Sequence, residues 1–560
     1  MTRELFTPGR TGWTRTWLVL CWMSVNLALS AQTPVTFRLD LAELEGQELF
    51  SSLRGDRVFV RGDFNGWTGT ECELTPRKGS GLYEGTFLLD AATGDSVAYK
   101  FVIARAGEHY YWEVDPDPLN PPDGNRILVM TDTALELPVT TFVHDAYFQF
   151  PVLFSREKLT ADFDTMRAML ERIHPALYDY TPREELDAAF DQARDQIRDS
   201  MDFRDYFTRL SAVMALIGCG HSHLWIPGDF WSSAPERLFP LKLTAGPEGV
   251  LVKDDLSGQG VVPVGSRLVA VNGLPVEEIM AGLEAVTAAD GFNPSYKRYM
   301  VARQFSKKYA MTYGFPETFR VEAMVPGSDA TREFALAGVA AAVVDRSNQS
   351  RNELSFKTLD GNRTALLTIN TFGYYDRVEM FHAFIDSVFR EISLQGTKHL
   401  ILDLRGNAGG DPFCAAYLLA YLEHEPVPYF DKHYGRYDTL ALPLPQPANH
   451  FTGKLFTLVD GGGFSTTGHF CALLKYHGIG TFIGEETGAT FTCTGSVIYP
   501  TLKQTRIILG TARNQRYTAA VKGMDPHRGI IPDYPVAPSP EDLRRGRDAV
   551  FEFALSLADD

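Results

Sequence analysis

Six cysteines in 560 residues are few, and no two of them stand in a Cys-x-x-Cys spacing. Cys21 falls in the leading segment, which leaves Cys72, Cys219, Cys414, Cys471 and Cys493 as an odd, scattered set. No disulfide framework is implied, and neither structural zinc nor dithiol redox chemistry gains support. Positive charge is also scarce: 53 Lys and Arg against 70 Asp and Glu give a formal charge of -17. Affinity for nucleic acid rests on neutralising phosphates, so nucleic acid is not an expected partner. Downstream of residue 31 no apolar run has the length of a membrane helix. A Gly-x-x-x-x-Gly-Lys-Ser/Thr run is missing as well, which argues against a nucleotide phosphate loop.

What is present begins with Arg10 and Arg15, an apolar run over 17–23, a second over 25–29, and the small residues Ser30 and Ala31. This pattern predicts a secretory signal peptide over 1–31 and a periplasmic or extracellular protein without a membrane span once the signal is removed. Leu20 before Cys21 is larger than the small residue a lipoprotein processing site uses. The apolar content, 44%, is that of a soluble globular chain. At this length one hydrophobic core does not suffice, so a multidomain protein is expected.

Residues 32–140 read as short alternating strands, such as 57–61, 82–89 and 97–103, between Gly, Asp and Pro turns, the pattern of a β-sandwich. Residues 150–232 read as helical. Phe163, Met166, Leu170 and Ile173 share one helix face that must end before Pro175. Thr181-Pro182-Arg183-Glu184 reads as a capping box with Pro at the first helical position. A third helix carries Phe203, Phe207, Leu210, Met214 and Ile217, and Gly218 is placed to end it in the left-handed region. His221 then falls just past a helix terminus. Residues 233–345 return to strands around an amphipathic stretch at 276–283, and 346–560 alternate apolar strands with helices as an α/β core.

Two glycine-rich loops each follow a buried strand of that core. In Gly461-Gly462-Gly463-Phe464-Ser465-Thr466-Thr467-Gly468 a hydroxyl lands at a helix N-terminus, where backbone donors favour an anion. Ser is also a common N-cap residue, so a partner is needed before it counts as a nucleophile. Asp403-Leu404-Arg405-Gly406-Asn407-Ala408-Gly409-Gly410 exposes further amides that could supply a second donor.

The motifs Asp403 to Gly410, Gly463-Phe464-Ser465, Gly484-Glu485-Glu486-Thr487-Gly488, Gly529-Ile530-Ile531-Pro532-Asp533 and Gly218-Cys219-Gly220-His221 together resemble the tail-specific, or C-terminal-processing, serine peptidases. The resemblance runs from about residue 159 onward. It implies a core of the crotonase and ClpP type, a nucleophile at Ser465, and an oxyanion site at the amides of Thr466 and Gly409. It further implies a peptide or unfolded-protein substrate and no cofactor. Gly265-Ser266-Arg267-Leu268-Val269-Ala270-Val271-Asn272-Gly273 with the following amphipathic stretch resembles a PDZ domain, a module that adds peptides to a sheet edge. The Lys base of the processing enzymes is replaced here by Ala489-Thr490-Phe491, and Lys475 lies too far along the helix to substitute. Branches similar to tricorn protease use a Ser/His/acid set, and His221 occupies the corresponding place, with His223 in reserve. A neutral imidazole can accept a serine proton near neutral pH. Asp525 is the acid expected to orient it, with Glu485 and Glu486 as competitors.

Other readings stay open at this level. His221-Ser222-His223 could be a metal pair, although no third ligand stands nearby, or His221 could be structural. An α/β-hydrolase site would need Gly-x-Ser-x-Gly and the order Ser, acid, His, which this chain lacks. A non-catalytic ligand- or peptide-binding protein on the same scaffold is the main alternative, since the family resembled includes retinoid-binding proteins. Within 32–140, Gly62-Asp63-Phe64-Asn65-Gly66-Trp67, Tyr99-Lys100-Phe101, Trp112, Asp115-Pro116 and Asn125 resemble the glycogen-binding module of the AMP-activated kinase β subunit. That likeness implies a glucan contact by Trp67, Lys100, Trp112 and Asn125, whereas the plain reading is that both Trp rings cover the core.

Overall fold

The computed structural model describes residues 32–559 apart from 47–48, 78–79, 106–108, 114–124, 144–149, 292, 329, 349–353 and 514. Residues 1–31, where a signal peptide is expected, and the Asp115-Pro116 pair lie outside the described residues. The chain divides into two compact units, Met1–Asp145 and Ala146–Asp560.

In the first unit, strand Thr33–Asp40 alternates burial residue by residue, with Val35, Phe37 and Leu39 fully inside. That period of two fixes its face, and it pairs antiparallel along its whole length with Leu82–Leu89. Arg57–Gly62 pairs in the same sense with Ser96–Arg105. Glu73–Pro76 pairs with a strand from each couple and joins nine strands into one hydrogen-bonded network. Phe37 meets Tyr99 and Phe101 edge-on at 5.1 and 6.4 Å, from strands that are not neighbours in the ladder, and this closes the core.

The second unit opens with helices Arg156–Ile173, Arg183–Asp195 and Phe203–Leu216. Leu159, Phe163, Met166, Leu186, Phe190 and Phe203 are fully buried between them. The start of the second helix differs from the capping box expected. Pro182 itself is the N-cap, with no side-chain cap bond, and the Thr181 hydroxyl donates instead to the carbonyl of Leu216 at 2.5 Å. Thr181 therefore ties the second helix to the third by taking up a carbonyl left open at a helix C-terminus. Gly218, at φ +66, ends the third helix as expected.

Residues 241–337 form a six-stranded antiparallel sheet with helix Val276–Ala285 against it. A second six-stranded sheet runs, in order, Leu354–Leu359, Thr364–Ile369, His399–Asp403, Lys454–Val459, Thr481–Gly484 and Tyr534–Pro535; the first pair is antiparallel and the rest parallel. Its strands are apolar on both faces. Leu400 and Leu402 face helices Val378–Gln395, Pro412–Leu422 and Thr466–Tyr476, whereas Ile401, Phe456 and Leu458 face helix Ala549–Asp559. The register Asp403↔Leu458 sets the carboxyl ends of two adjacent strands side by side, so both glycine-rich loops leave the sheet together. Crevices at such strand ends are where open parallel sheets place ligands.

Candidate active site

Ser465 follows strand Lys454–Val459 at a sharp turn and has φ 56 and ψ -123, a conformation that a non-glycine residue adopts only under strain. Its side chain makes no cap bond to helix Thr466–Tyr476. The hydroxyl faces His221 instead, with Oγ 3.0 Å from Nε2 across 244 residues of sequence.

The histidine is held by its own turn. Ser222 is fully buried, its N–H donates to Cys219 O, and its hydroxyl accepts the Ala512 N–H at 3.3 Å. Strand His223–Trp225 pairs antiparallel with Ile508–Gly510. The Gly220 N–H donates to Oδ1 of the buried Asp290 at 2.8 Å. A Cβ at Gly220 would lie 2.6 Å from the Phe464 ring, so only glycine lets this turn approach the serine loop. Phe464 in turn packs 4.7 Å from the His221 ring and stacks on Tyr296 at 4.5 Å.

The two glycine loops are fastened by Asn407, which is fully buried. Its Nδ2 donates to Ile369 O, its Oδ1 accepts from Gly409 N and from the Thr467 hydroxyl, and its carbonyl accepts the Phe464 N–H. The Thr466 hydroxyl donates to Gly410 O at 2.6 Å. This changes the expected oxyanion pair in one member. The Gly409 amide is already bonded to Asn407, whereas the N–H groups of Gly410 and Thr466 have no acceptor among the described residues, and both residues line the cavity at Ser465. Gly409 serves by shape: at φ +93, a Cβ there would meet Phe464 O at 2.7 Å and Ser465 Cβ and Thr466 N at 2.9 Å. Gly409→Ala is expected to cost about 1–3 kcal/mol of stability, as read by denaturant titration.

Burial pulls the His221 imidazole down to about 3, helped by the nearby His223, His469 and His174. Its Nδ1 is buried without a hydrogen-bond partner among the described residues. The expected acid is elsewhere: Asp525 is exposed, and its Oδ1 accepts the N–H of His527. Glu486 is occupied by Arg528, the Gly529 N–H and Ser295. Glu485 is pushed up to about 7 by burial and then by Asp460. The carboxyl tied to the histidine turn is Asp290, which burial raises to about 7 and whose Oδ2 has no partner among the described residues. Nothing in the sequence marks Asp290, which stands in a bare linker between two helices. Asn407 did lie within a recognised loop, and a lone amide among glycines was its signal.

His223 lies on the wall of the same cavity, its Nδ1 3.2 Å from Gly220 O, and burial lowers it to about 4. Ala489 and Thr490 are fully buried, and a Cβ on Gly468 would come within 2.7 Å of Ala489 Cβ, so this position has no room for a lysine. Lys475 pairs with Asp533. Among the described residues no three His, Cys, Asp or Glu side chains gather as a metal site, and the five described cysteines are free and buried. In the other unit, Trp67 and Trp112 are half-buried with ring centres 6.2 Å apart, and Lys100 and Asn125 both have partners.

Ser465, His221 and the two loops open on a cavity of about 1650 Å³. Its walls include Phe430, His469, Tyr434 and Tyr517, an aromatic floor beside the serine. Such a site, with a strained hydroxyl, a neutral imidazole in contact and converging amides, can perform nucleophilic attack on a carbonyl.

Residues 363–536 match Peptidase family S41, a stretch that includes both glycine loops and Ser465 but not His221. Among solved structures, mature CPAF complexed with lactacystin is similar at 14% identity and TM-score 0.53, over 72% of this chain and 98% of that one. Mature CPAF is similar at 13% identity and TM-score 0.51, over 72% and 96%. These likenesses show a shared fold. No curated protein sequence matches the chain.

Proposed function

We propose that the chain is an exported serine peptidase that hydrolyses peptide bonds through an acyl-enzyme. The observation that carries this reading is the 3.0 Å contact between Ser465 Oγ and His221 Nε2. The match to Peptidase family S41 supports it. Ser465 attacks the scissile carbonyl while His221 takes its proton and returns it to the leaving amine. The amides of Thr466 and Gly410 face the developing oxyanion, and each such donor is worth about 3 kcal/mol in comparable sites. Water then attacks the acyl-enzyme with His221 again as base.

The acid in this scheme is Asp290 rather than Asp525. It fixes the backbone at Gly220 and places a carboxyl beside the turn that must carry an imidazolium in the transition state. The 241–337 sheet, in the PDZ-like reading, guides an extended chain toward the cleft.

The pH profile tests the base. His221 must be neutral to act, and its pKa is depressed from 6.5 to about 3, so protonation removes the active form only well below the usual histidine range. In an Asp290→Asn protein, where the neighbouring carboxyl that burial raises to about 7 no longer titrates, hydrolysis of an unfolded polypeptide is expected to hold at pH 5 near its pH 7 value of kcat/KM. A fall centred near pH 6.5 would mean that the imidazole is solvated and not seated as described.

A further inference from the structure

The cavity at Ser465 has a charge opposite to that of the chain around it. Against a formal -17 overall, its lining among the described residues includes Arg303, Lys307, Lys308, Arg436 and Arg513 but only one carboxylate, Asp345. Two of these cations are already neutralised, Lys307 by Asp345 at 2.6 Å and Arg436 by Asp411 at 2.8 Å. Among the described residues Arg303 bonds neutral oxygens alone, Tyr299 Oη and Asn348 O.

Lys308 is the informative member. It stands on helix Phe305–Tyr313, and its Nζ donates to the Thr287 hydroxyl at 2.9 Å, a group already oriented by its own bond to Leu283 O. An ammonium has three donors, and this one uses a single neutral acceptor. Burial lowers it to about 8, and no acidic group among the described residues offsets that loss. A merely structural role would be served as well by a methionine, without the cost of a desolvated charge. An unneutralised ammonium in the wall of a cleft is instead what a site for an anion requires, and a chain lying across Ser465 occupies the same cavity.

We propose that the cavity takes polypeptides bearing carboxylates, one of which is held by Lys308. The carboxylate comes either from an Asp or Glu side chain or from the C-terminus of the bound chain. The inference deepens the peptidase reading but is tested without it, by binding to the Ser465→Ala protein, in which no turnover occurs.

Short fluorescein-labelled peptides of one sequence carry Gln and an amidated end, Glu and an amidated end, or Gln and a free end. Fluorescence anisotropy is expected to show at least one carboxylate peptide binding about tenfold or more tighter than the neutral one, in line with a charge-assisted bond. Which of the two does so identifies the source. Adding Lys308→Met should bring the ratio to within about twofold, whereas Lys308→Arg should preserve a preference. Because the ratio is read within each protein, partial loss of folded material cancels. Equal binding of all three peptides, or a preference that survives Lys308→Met, overturns the proposal. Hydrolysis by the wild-type chain is a separate result, so either reading can fail alone.

Discussion

Replacing Ser465 with Ala is expected to lower kcat/KM for an unfolded polypeptide by on the order of 10⁴-fold or more while leaving the fold intact. The loss is large because the reaction then has no nucleophile, and the residual rate reflects only the oxyanion amides and binding. The fold should survive because the Ser465 side chain caps no helix, and Ala meets the same strained φ of 56 that Ser already tolerates. Steady-state kinetics alongside a thermal melt separate the two effects. An Ala variant that turned over at the wild-type rate would remove the serine from the mechanism.

His221→Ala is expected to fall nearly as far, again on the order of 10⁴-fold. The physical reason is mutual dependence: a serine hydroxyl is a poor nucleophile until its proton has an acceptor, and Nε2 of His221 stands 3.0 Å from Oγ. Residues that act as one unit are not additive, so the double variant should be no slower than either single one. If the two losses multiplied instead, His221 would be acting elsewhere than on Ser465. His223→Ala should have a much smaller effect, since its Nδ1 engages Gly220 O and not the serine.

The local backbone around the candidate site was legible in the sequence. A strand feeding a glycine turn and a helix announced Ser465, and the end of a helix at Gly218 announced the turn bearing His221. The strand at Leu82–Leu89 followed from the alternation of its residues. What escaped depended on three-dimensional competition. The Gly409 amide looked available until Asn407, two residues earlier, folded back onto it. Thr181 matched a capping box, yet Leu216, 35 positions away, offered its hydroxyl a carbonyl left open at a helix C-terminus. Asp525 had a plausible sequence position, but an exposed turn bonded to its own neighbour cannot orient a buried ring. Asp290 reaches Gly220 across 70 residues with no motif to mark it.

The most direct test of the central claim is covalent. Native protein is treated with a fluorophosphonate probe, digested, and the adduct located by mass spectrometry. Stoichiometric modification of Ser465 is expected, abolished by unfolding and by His221→Ala. Folded protein that binds peptides yet takes up no probe, or takes it up at another serine, would contradict it.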